Sequence, residues 1–229
     1  MLELHDAEEI PVGADLLATN AKAALHNREH FLGHGVYVLN LMSGPGAGKT
    51  TLLERTLDAL APRYRLAVIE GDVQTRHDAD RIARHGVPVH QINTGGACHL
   101  DARLVHQALD HFELGALDAL IIENVGNLVC PAEFDLGEHD KVMVLSVTEG
   151  HDKPQKYPVM FHAARALLLN KMDLLPHVDF DVAYAERAAR ALNLDLEIFR
   201  VSARSGEGLD AWYRWLEARI GKARRHLSH

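Results

Sequence analysis

The stretch from Val36 to Thr51 constrains the fold of this chain more than any other part of the sequence. A largely apolar run, Val-Tyr-Val-Leu-Asn-Leu-Met, is followed directly by Ser-Gly-Pro-Gly-Ala-Gly-Lys-Thr-Thr. A buried strand that leads into a loop of small residues lets backbone N–H groups converge on an anion. The helix that follows directs the positive end of its dipole at the same point. The stretch therefore predicts a phosphate-binding loop between a strand and a helix.

The loop matches the pattern G-x-x-x-x-G-K-[ST], with Ser43 in place of the first glycine. In this pattern Lys49 reaches the β- and γ-phosphates and the hydroxyl of Thr50 binds magnesium. The alternative is an ordinary glycine-rich turn with an exposed lysine, and the strand before and the helix after the loop argue against it. The predicted phosphate contacts are Gly44, Gly46, Ala47, Gly48, Lys49, Thr50 and Thr51.

Strands alternate with helices along the rest of the chain. Hydrophobic periodicity predicts a first helix from Ala14 to Phe31 and a last helix that carries Leu209, Trp212, Leu216 and Ile220 on one face. Between them we expect strands at residues 66–69, 87–92, 117–122, 142–147, 166–169 and 197–201, and helices at 78–84, from the segment after His99 to about 113, and at 182–192. This alternation predicts an α/β fold with a mostly parallel sheet flanked by helices in a single P-loop domain.

Composition disfavours several classes of function. The 229 residues carry a net charge of −8 and show no extended basic patch, which disfavours a nucleic-acid partner. The first residues are acidic where a signal peptide is basic, and there is no run of about 18 apolar residues, so we expect a cytoplasmic protein without a membrane partner. The two cysteines cannot build a disulfide framework and should be thiols in that compartment.

The tetrapeptide Asn-Lys-Met-Asp from Asn170 to Asp173 follows a predicted buried strand. A carboxylate at Asp173 can accept hydrogen bonds from N1–H and the exocyclic amine of guanine, whereas adenine lacks this pair of donors. The stem of Lys171 can lie against the base plane, and Ser202 and Ala203 at the end of the next strand can support the base. The sequence therefore predicts a guanine nucleotide, unless Asp173 only caps a helix.

Glu123 and Gly126 follow another predicted strand as an acid and a glycine separated by two residues. The carboxylate can act on magnesium, directly or through water, and the glycine N–H can contact the γ-phosphate. Asp72, also at a strand end, is a candidate second acid for magnesium or for the attacking water, although it could instead cap the helix that follows. We see no glutamine or arginine in a clear position to assist, so we expect slow, magnesium-dependent hydrolysis. The predicted catalytic residues are Lys49, Asp72 and Glu123.

Cys98, His99 and Cys130 form a second group of candidate ligands. Both cysteines lie in loops that contain glycine or proline, and thiolate and imidazole ligands suit zinc or nickel. A free cysteine is also often a small buried apolar residue, which is the competing interpretation. Three ligands leave the coordination shell incomplete, so water or a second chain could complete it at a dimer interface. Because Cys130 lies four residues after Gly126, a loop that responds to the γ-phosphate would move a metal ligand.

Four segments of the sequence resemble the HypB family of hydrogenase maturation GTPases: residues 70–75, 94–99, 123–137 and 146–158. The resemblance extends over nearly the whole chain. It implies a SIMIBI-class GTPase that binds GTP and GDP with magnesium and forms a homodimer with nucleotide. It also implies that the protein passes nickel into the large subunit of [NiFe]-hydrogenase together with a partner accessory protein.

The resemblance also implies roles for individual residues. It places Cys98, His99 and Cys130 at the family's metal positions. Leu174 and Val178 fall where the family has dimer contacts, and Lys153 lies in a signature loop that approaches the nucleotide across the dimer. We therefore expect residues 1–35 to be a helical extension that packs on the domain, 36–221 to be a GTPase domain with inserted metal-binding loops, and 222–229 to be a tail. The chain begins without a Cys-x-x-Cys nickel motif or a histidine-rich tail, so we expect only the metal site of the GTPase domain.

Three other functions stay open at this point. A urease accessory GTPase is a close relative, and the segment around Cys130 together with the pair Cys98-His99 argues against it. A P-loop kinase would need an acceptor site and an arginine-rich lid, and it would not need the Asn-Lys-x-Asp tetrapeptide. A metal carrier whose nucleotide site only locks a dimer would still function after mutation of Lys49 if hydrolysis is dispensable.

Overall fold

The structure, a computed structural model, describes residues 12–72 and 77–225. Within these residues, seven parallel strands form one sheet in the order β3-β2-β4-β1-β5-β6-β7. The strands are β1 Tyr37–Ser43, β2 Leu66–Asp72, β3 Val89–Asn93, β4 Ala119–Glu123, β5 Asp140–Ser146, β6 Ala166–Asn170 and β7 Glu197–Arg200. The predicted parallel α/β fold is therefore confirmed.

Helices cover both faces of the sheet. They are α1 Val12–His34, α2 Lys49–Leu60, α3 His77–Ala83, α4 Ala102–Leu109, α5 Cys130–Glu133, α6 Lys153–Lys156, α7 Pro158–Ala163, α8 Val182–Leu192 and α9 Leu209–Arg225, with 3-10 turns at Leu114–Ala116 and Met172–His177. Among the helices described, none is both long enough and apolar enough to cross a membrane.

The central strands are buried on both faces, which explains their nearly continuous apolar sequences. Every residue of β1 and of β4 is buried. Side chains of α2, α3 and α9 pack on one face of the sheet, and side chains of α1, α4, α7 and α8 contribute to the core on the other. In the first layer, Nε1 of Trp212 donates to Oγ1 of Thr56 at 3.0 Å, so the buried indole N–H is satisfied.

Helix α1 is joined to the domain by two buried asparagines. Nδ2 of Asn27 donates to the carbonyl oxygens of Ala102, at 2.8 Å, and Leu136, at 3.0 Å. Oδ1 of Asn20 accepts from the backbone N–H of Ala102 at 2.8 Å. The helix is longer than predicted and ends where Gly35 adopts a φ of 61°, which glycine tolerates. The first eleven residues of the expected extension lie outside the described residues.

Several other segments also differ from the sequence-based expectation. Cys130 begins a helical turn instead of lying in a loop, and the polar segment 149–158, whose composition predicts a loop, contains α6. Pro131 contributed to the loop prediction at Cys130 and polar composition to the other, yet the prolines of α5 and α6 each occupy the first turn of a helix, where the missing N–H costs nothing. Helix α4 ends at Leu109, before the predicted limit near 113, and β3 begins two residues after the predicted 87.

The last helix continues into the predicted tail. Helix α9 runs to Arg225, Ala223 is buried, and the guanidinium of Arg224 lies 3.3 Å from the carboxylate of Asp118. Residues 222–225 therefore continue the domain, and 226–229 lie outside the described residues.

Candidate nucleotide site and metal cluster

The carboxyl ends of the parallel strands bring the predicted site residues to one edge of the sheet, where open α/β sheets bind ligands. Register pairs Leu41 with Glu123, Glu70 with Glu123, and Ser146 with Asn170. Segments that are far apart in the sequence thus end side by side around the loop that follows β1.

The phosphate-binding loop has a backbone that requires glycine. Gly46 and Gly48 adopt φ values of 76° and 96°, which side chains other than glycine rarely adopt. A Cβ on Gly48 would lie 2.7 Å from Nδ2 of Asn170, so the close approach of these segments also requires a glycine. Nζ of Lys49 donates to Oγ of Ser43 at 3.1 Å, which holds the ammonium over the loop.

The loop opens on a cavity of about 440 Å³. Among the predicted phosphate contacts, Gly46, Gly48, Lys49, Thr50 and Thr51 line this cavity, as does Gly126. Gly44 and Ala47 do not line this cavity. They contribute to the loop itself, where the N–H of Ala47 donates to the carbonyl oxygen of Gly44 at 3.4 Å.

Glu123 is the buried acid of this cavity. Oγ1 of Thr50 donates to its Oε1 at 2.8 Å, whereas Oε2 has no hydrogen-bond partner within the described residues. Burial raises the pKa of Glu123 to about 7, against the opposing effects of the Lys49 ammonium and the Thr50 hydroxyl. A buried carboxylate oxygen without a partner, beside a threonine hydroxyl, fits the oxygen ligands that magnesium prefers. Asp72 ends β2, but its side chain lies outside the described residues.

A second cavity, of about 450 Å³, adjoins the loop. Its volume falls in the range of small-molecule sites. It is lined by Gly48, Thr51, Arg55, Asn170, Lys171, Asp173, Leu174, Ala203 and Arg204. The predicted base-binding residues Asn170, Lys171, Asp173 and Ala203 therefore meet at one place.

Buried Asn170 connects the phosphate-binding loop with the segment that follows β7. Its Nδ2 donates to the carbonyl oxygen of Ala47 at 2.9 Å, and its Oδ1 accepts from the N–H of Ala203 at 3.0 Å. Lys171 has a φ of 63° and donates from Nζ to the carbonyl oxygen of Gly46 at 2.7 Å. A left-handed conformation at a residue other than glycine is backbone strain of the kind found at functional sites.

Ser202 orients the carboxylate of Asp173. Its hydroxyl donates to Oδ1 of Asp173 at 2.6 Å and so fixes the orientation of this carboxylate, which lines the cavity. Ser202 itself is buried and does not line the cavity. The guanidinium of Arg55 donates to the carbonyl oxygens of Ala203 and Arg204, both at 3.0 Å, and fixes the loop on the far wall. Arg55 could not be predicted from the sequence, because its contact depends on the packing of α2 against that loop.

Several residues of the phosphate cavity were not predicted. Glu70 is in register with Glu123 on the neighbouring strand, and its place at a strand end could have indicated it. Arg81 of α3 donates to both carboxylate oxygens of Glu54, at 3.0 and 2.6 Å, and to Asp78 at 3.1 Å. Nothing in the sequence singles it out. The cavity residues missed are Glu70, Asp78, Arg81 and Asn124.

The structure brings the three predicted metal ligands together. Sγ of Cys98 lies 2.8 Å from Sγ of Cys130 and 3.5 Å from Nδ1 of His99, and one ligand atom from each residue lies within 4.8 Å of the others. Both cysteines are free thiols, Cys98 exposed and Cys130 half-buried. The imidazole of His99 stacks on Phe134 with ring centroids 3.8 Å apart, which limits its orientation.

In this cluster the protonation state of His99 favours cation binding, whereas that of Cys130 opposes it. The hydrogen bond from Cys98, burial, and the neighbouring charges raise the pKa of Cys130 to about 11. Burial lowers the pKa of His99, so its imidazole is held neutral and able to donate a lone pair. A divalent cation would reverse the first effect, because it stabilises the thiolate that the protein alone disfavours.

Asn124 connects the phosphate cavity to the cysteine loop. Its Oδ1 accepts from the backbone N–H groups of Leu100, at 3.2 Å, and Val125, at 2.9 Å, and its Nδ2 donates to Oδ1 of Asn40 at 3.2 Å. Leu100 is buried against Gly71, where a Cβ would lie 2.9 Å from the leucine Cδ1. The residues that follow Cys98 and His99 are thus held by the ends of β2 and β4.

The segment between Gly126 and Cys130 is the other connection. A Cβ on Gly126 would lie 3.2 Å from Cα of Pro45, so this glycine passes directly against the phosphate-binding loop. Oδ1 of Asn127 accepts from the N–H of Val129 at 2.7 Å, and its Nδ2 lies 3.9 Å from Sγ of Cys130.

The family resemblance predicts that three residues act at the interface with a second chain. Leu174 lines the base cavity, and both Leu174 and Val178 are partly buried against the core. The ammonium of Lys153 lies 5.2 Å from the ring centroid of Tyr157 and is not among the described residues that line either cavity. Their roles at a dimer interface stay predictions.

These features define a P-loop nucleotide-binding protein. It has a phosphate-binding loop, a buried carboxylate beside a threonine hydroxyl, and an adjoining cavity that contains an aspartate, and two thiols and an imidazole meet nearby. A sequence profile described as "CobW/HypB/UreG, nucleotide-binding domain" matches residues 37–200. The chain belongs to this family and, within it, to the HypB hydrogenase maturation factors. The resemblance seen in the sequence is confirmed.

Relatives and solved structures support this assignment. HypB of Azotobacter vinelandii is 56% identical over 218 residues, which cover 95% of this chain and 72% of the relative. HypB of Escherichia coli K12 is 54% identical over 208 residues, which cover 91% and 72%. The crystal structure of Helicobacter pylori HypB in complex with nickel matches with a TM-score of 0.85 at 40% identity, covering 89% of this chain and 96% of that one.

Proposed function

We propose that this chain is a GTP-hydrolysing switch that binds nickel, or zinc in its place, and supports nickel insertion into [NiFe]-hydrogenase. Relatives of high identity are named hydrogenase maturation factors, and a structural neighbour was crystallised with nickel. One observation carries the proposal. The segment from Glu123 to Cys130 contains the buried magnesium-type acid, the glycine against the phosphate-binding loop, and a ligand of the dithiol cluster.

Guanine is the base that the second cavity fits best. Asp173 presents a carboxylate, which accepts the N1–H and amine donors of guanine, and Ser202 fixes its orientation. Adenine would leave this acid facing an acceptor, and an unpaired buried polar group costs about 1–3 kcal/mol. The stem of Lys171 borders the same cavity, where it can lie along the base.

Hydrolysis depends on charge placement in the first cavity. Lys49 supplies a positive charge to the β- and γ-phosphates, and magnesium held by Thr50, Glu123 and the predicted ligand Asp72 supplies more. When magnesium is bound, the ionised form of Glu123 is favoured, because a cation offsets the burial that raises its pKa. We expect slow intrinsic turnover, since Arg81 is already paired with Glu54 and Asp78.

The metal cargo responds to the nucleotide through the backbone. The γ-phosphate would contact the N–H of Gly126, and a shift of that residue is transmitted to Cys130 within one short segment. Asn124 provides a parallel link to the loop of Cys98 and His99. Coupling between two sites in proteins amounts to about 1–3 kcal/mol, so metal affinity should change several-fold between nucleotide states.

We further propose that the active form is a nucleotide-promoted homodimer, in which Leu174, Val178 and Lys153 face the second chain. Three ligands leave the metal coordination incomplete, and a second copy of the cluster would complete it. The remaining partners are a nickel accessory protein and the hydrogenase large subunit. Because thiol ligands must stay reduced to bind metal, we expect the protein to act in the cytoplasm.

Isothermal calorimetry with GTP and with ATP, each with magnesium, tests the nucleotide assignment. We expect GTP to bind far more tightly than ATP, and equal affinities would refute the guanine assignment. Lys49→Ala should abolish nucleotide binding, whereas Lys22→Ala, which removes an exposed lysine on α1, should not.

Nickel and zinc titrations of a Cys98→Ala/Cys130→Ala variant test the metal site. We expect loss of about one metal ion per chain, as one ion occupies one cluster. Unchanged binding of both metals would contradict the assignment. Hydrogenase activity in a strain that depends on this protein should fall for Lys49→Ala, whereas a passive carrier would still support maturation.

A further inference from the structure

Four histidines from two helices meet on the surface, separate from the cysteine cluster. His26, His30 and His34 follow one another at intervals of four residues on α1, and His106 lies on α4. Side chains four residues apart share one face of a helix. Ring centroids are 4.6 Å apart for His26–His30, 4.8 Å for His26–His106, 5.7 Å for His30–His106 and 6.4 Å for His30–His34.

These separations match those of imidazoles that share one metal ion. With a metal–nitrogen bond of about 2.1 Å, each ring centroid lies about 3.2 Å from the ion, so two rings are about 5.2 Å apart at a tetrahedral angle and about 4.5 Å apart at a right angle. The pairs among His26, His30 and His106 are separated by 4.6, 4.8 and 5.7 Å. The three ring centroids therefore have the spacing of imidazoles around one ion, although the ring nitrogens do not all lie within 4.8 Å of one another in this structure and would have to turn toward a common point.

The tautomer of His106 is fixed by a buried neighbour. Asn27 donates both amide hydrogens to backbone carbonyl oxygens, of Ala102 and Leu136, so its Oδ1 can only accept. Nδ1 of His106 lies 3.0 Å from this Oδ1 and must be the donor. The lone pair is therefore on Nε2. Metal-binding histidines commonly donate their second nitrogen to an oxygen in this way, which fixes the ring and raises its basicity.

His26 and His30 can direct their nitrogens at the same point. Both are exposed on α1, and the ring torsion of histidine has a broad, shallow energy profile. Rotation about Cβ–Cγ turns the nitrogens but leaves the ring centroid on the axis, so the separations above are kept.

We propose that His26, His30 and His106 form a second divalent-metal site, with His34 or water in the fourth position. Imidazole ligands without thiolate suit nickel, zinc and copper(II). The site would join α1 to α4 and would bind metal independently of the nucleotide state, because none of its ligands belongs to the segments around the phosphate cavity. It goes beyond the proposed function, which involves only the cysteine cluster.

Metal titration of the full chain without an affinity tag tests the proposal. Nickel and zinc are titrated by calorimetry into the wild type, the Cys98→Ala/Cys130→Ala variant and a His26→Ala/His30→Ala variant. We expect the cysteine variant to retain one equivalent. We expect the histidine variant to bind that second equivalent at least about tenfold more weakly, since it loses two of three ligands. Alanine at exposed helical positions favours the helix, so the fold should be kept.

A His162→Ala/His177→Ala variant is the matched control, because it removes two exposed histidines from other elements. It should bind metal like the wild type. Copper(II) titrated into the cysteine variant should show nitrogen hyperfine structure in its electron paramagnetic resonance spectrum, and this signal should be lost when His26→Ala/His30→Ala is added to that same variant. The proposal is overturned if the cysteine variant binds no nickel, zinc or copper, or if the histidine variant retains the second equivalent at unchanged affinity. Either result leaves the test of the cysteine site intact.

Discussion

Replacement of Glu123 by glutamine tests whether this acid is a destabilising buried charge that magnesium offsets. Burial raises the pKa of Glu123 from 4.5 to about 7 in the folded chain. Between these values the folded protein binds more protons than the unfolded chain, so stability falls as pH rises from about 4.5 and levels off above about 7. Glutamine is neutral at every pH and keeps an oxygen for the hydroxyl of Thr50.

The magnitude follows from the two pKa values, 4.5 and about 7. Linkage gives a destabilisation by Glu123 of about 0.8 kcal/mol at about pH 5 and about 3.3 kcal/mol at about pH 8. Glu123→Gln should therefore gain about 2.5 kcal/mol over the wild type across this range when magnesium and nucleotide are absent. All other titratable groups are the same in the two proteins, so their contribution cancels in the difference between the two free energies of unfolding.

Urea unfolding at several pH values, with a chelator present, measures this difference. Glu113→Gln supplies the control, because it makes the same chemical change at an exposed position outside the cavity. With magnesium and GTP the difference should shrink or reverse, since the wild type keeps the magnesium ligand and gains more stability from ligand binding. A difference that does not vary with pH, or a glutamine variant less stable than the wild type at high pH, would refute the assigned environment.

Three further variants test other parts of the site and the core. Asp173→Asn should lower GTP affinity by about tenfold or more and shift the preference toward xanthosine triphosphate, because the amide donates where guanine also donates; calorimetry with both nucleotides checks this. Gly48→Ala should lower GTP affinity and the free energy of unfolding by about 1–3 kcal/mol, because φ is 96° and its Cβ would meet Asn170; calorimetry and urea unfolding check this, and unchanged values would contradict it. Thr56→Val should lower the free energy of unfolding by about 1–3 kcal/mol, because Nε1 of buried Trp212 loses its acceptor. Thr56→Ser keeps the hydroxyl and should not have this effect. Nucleotide affinity should stay unchanged in both variants.

The phosphate loop and the sheet could be predicted because their signals are local. The apolar run before Ser43 and the glycines after it are a contiguous pattern with one physical explanation, and the structure has the expected strand, loop and helix. The approach of Cys98 to Cys130 was predicted only as a hypothesis. Their spacing of 32 residues carries no geometry by itself, and the contact arises because the loops after β3 and β4 meet at one edge.

Residues that act through tertiary packing could not be predicted. Arg81 and Arg55 reach the cavities only because α3 and α2 pack against particular loops. The histidine interval on α1 is visible in the sequence, but the fourth ring, on His106, comes from α4. Proline misled the prediction at Pro131, because the same residue that ends helices also suits their first turn.

Nickel affinity in two nucleotide states is the most direct test of the central claim, that the phosphate site controls the metal cluster through the segment from Glu123 to Cys130. Calorimetry with GDP and with a non-hydrolysable GTP analogue, both with magnesium, measures it, and light scattering on the same samples reports oligomer size. We predict that the two affinities differ by about fivefold or more, the effect of a coupling free energy of about 1 kcal/mol. We also predict that the analogue promotes the dimer. Equal nickel affinities in the two states would contradict the account.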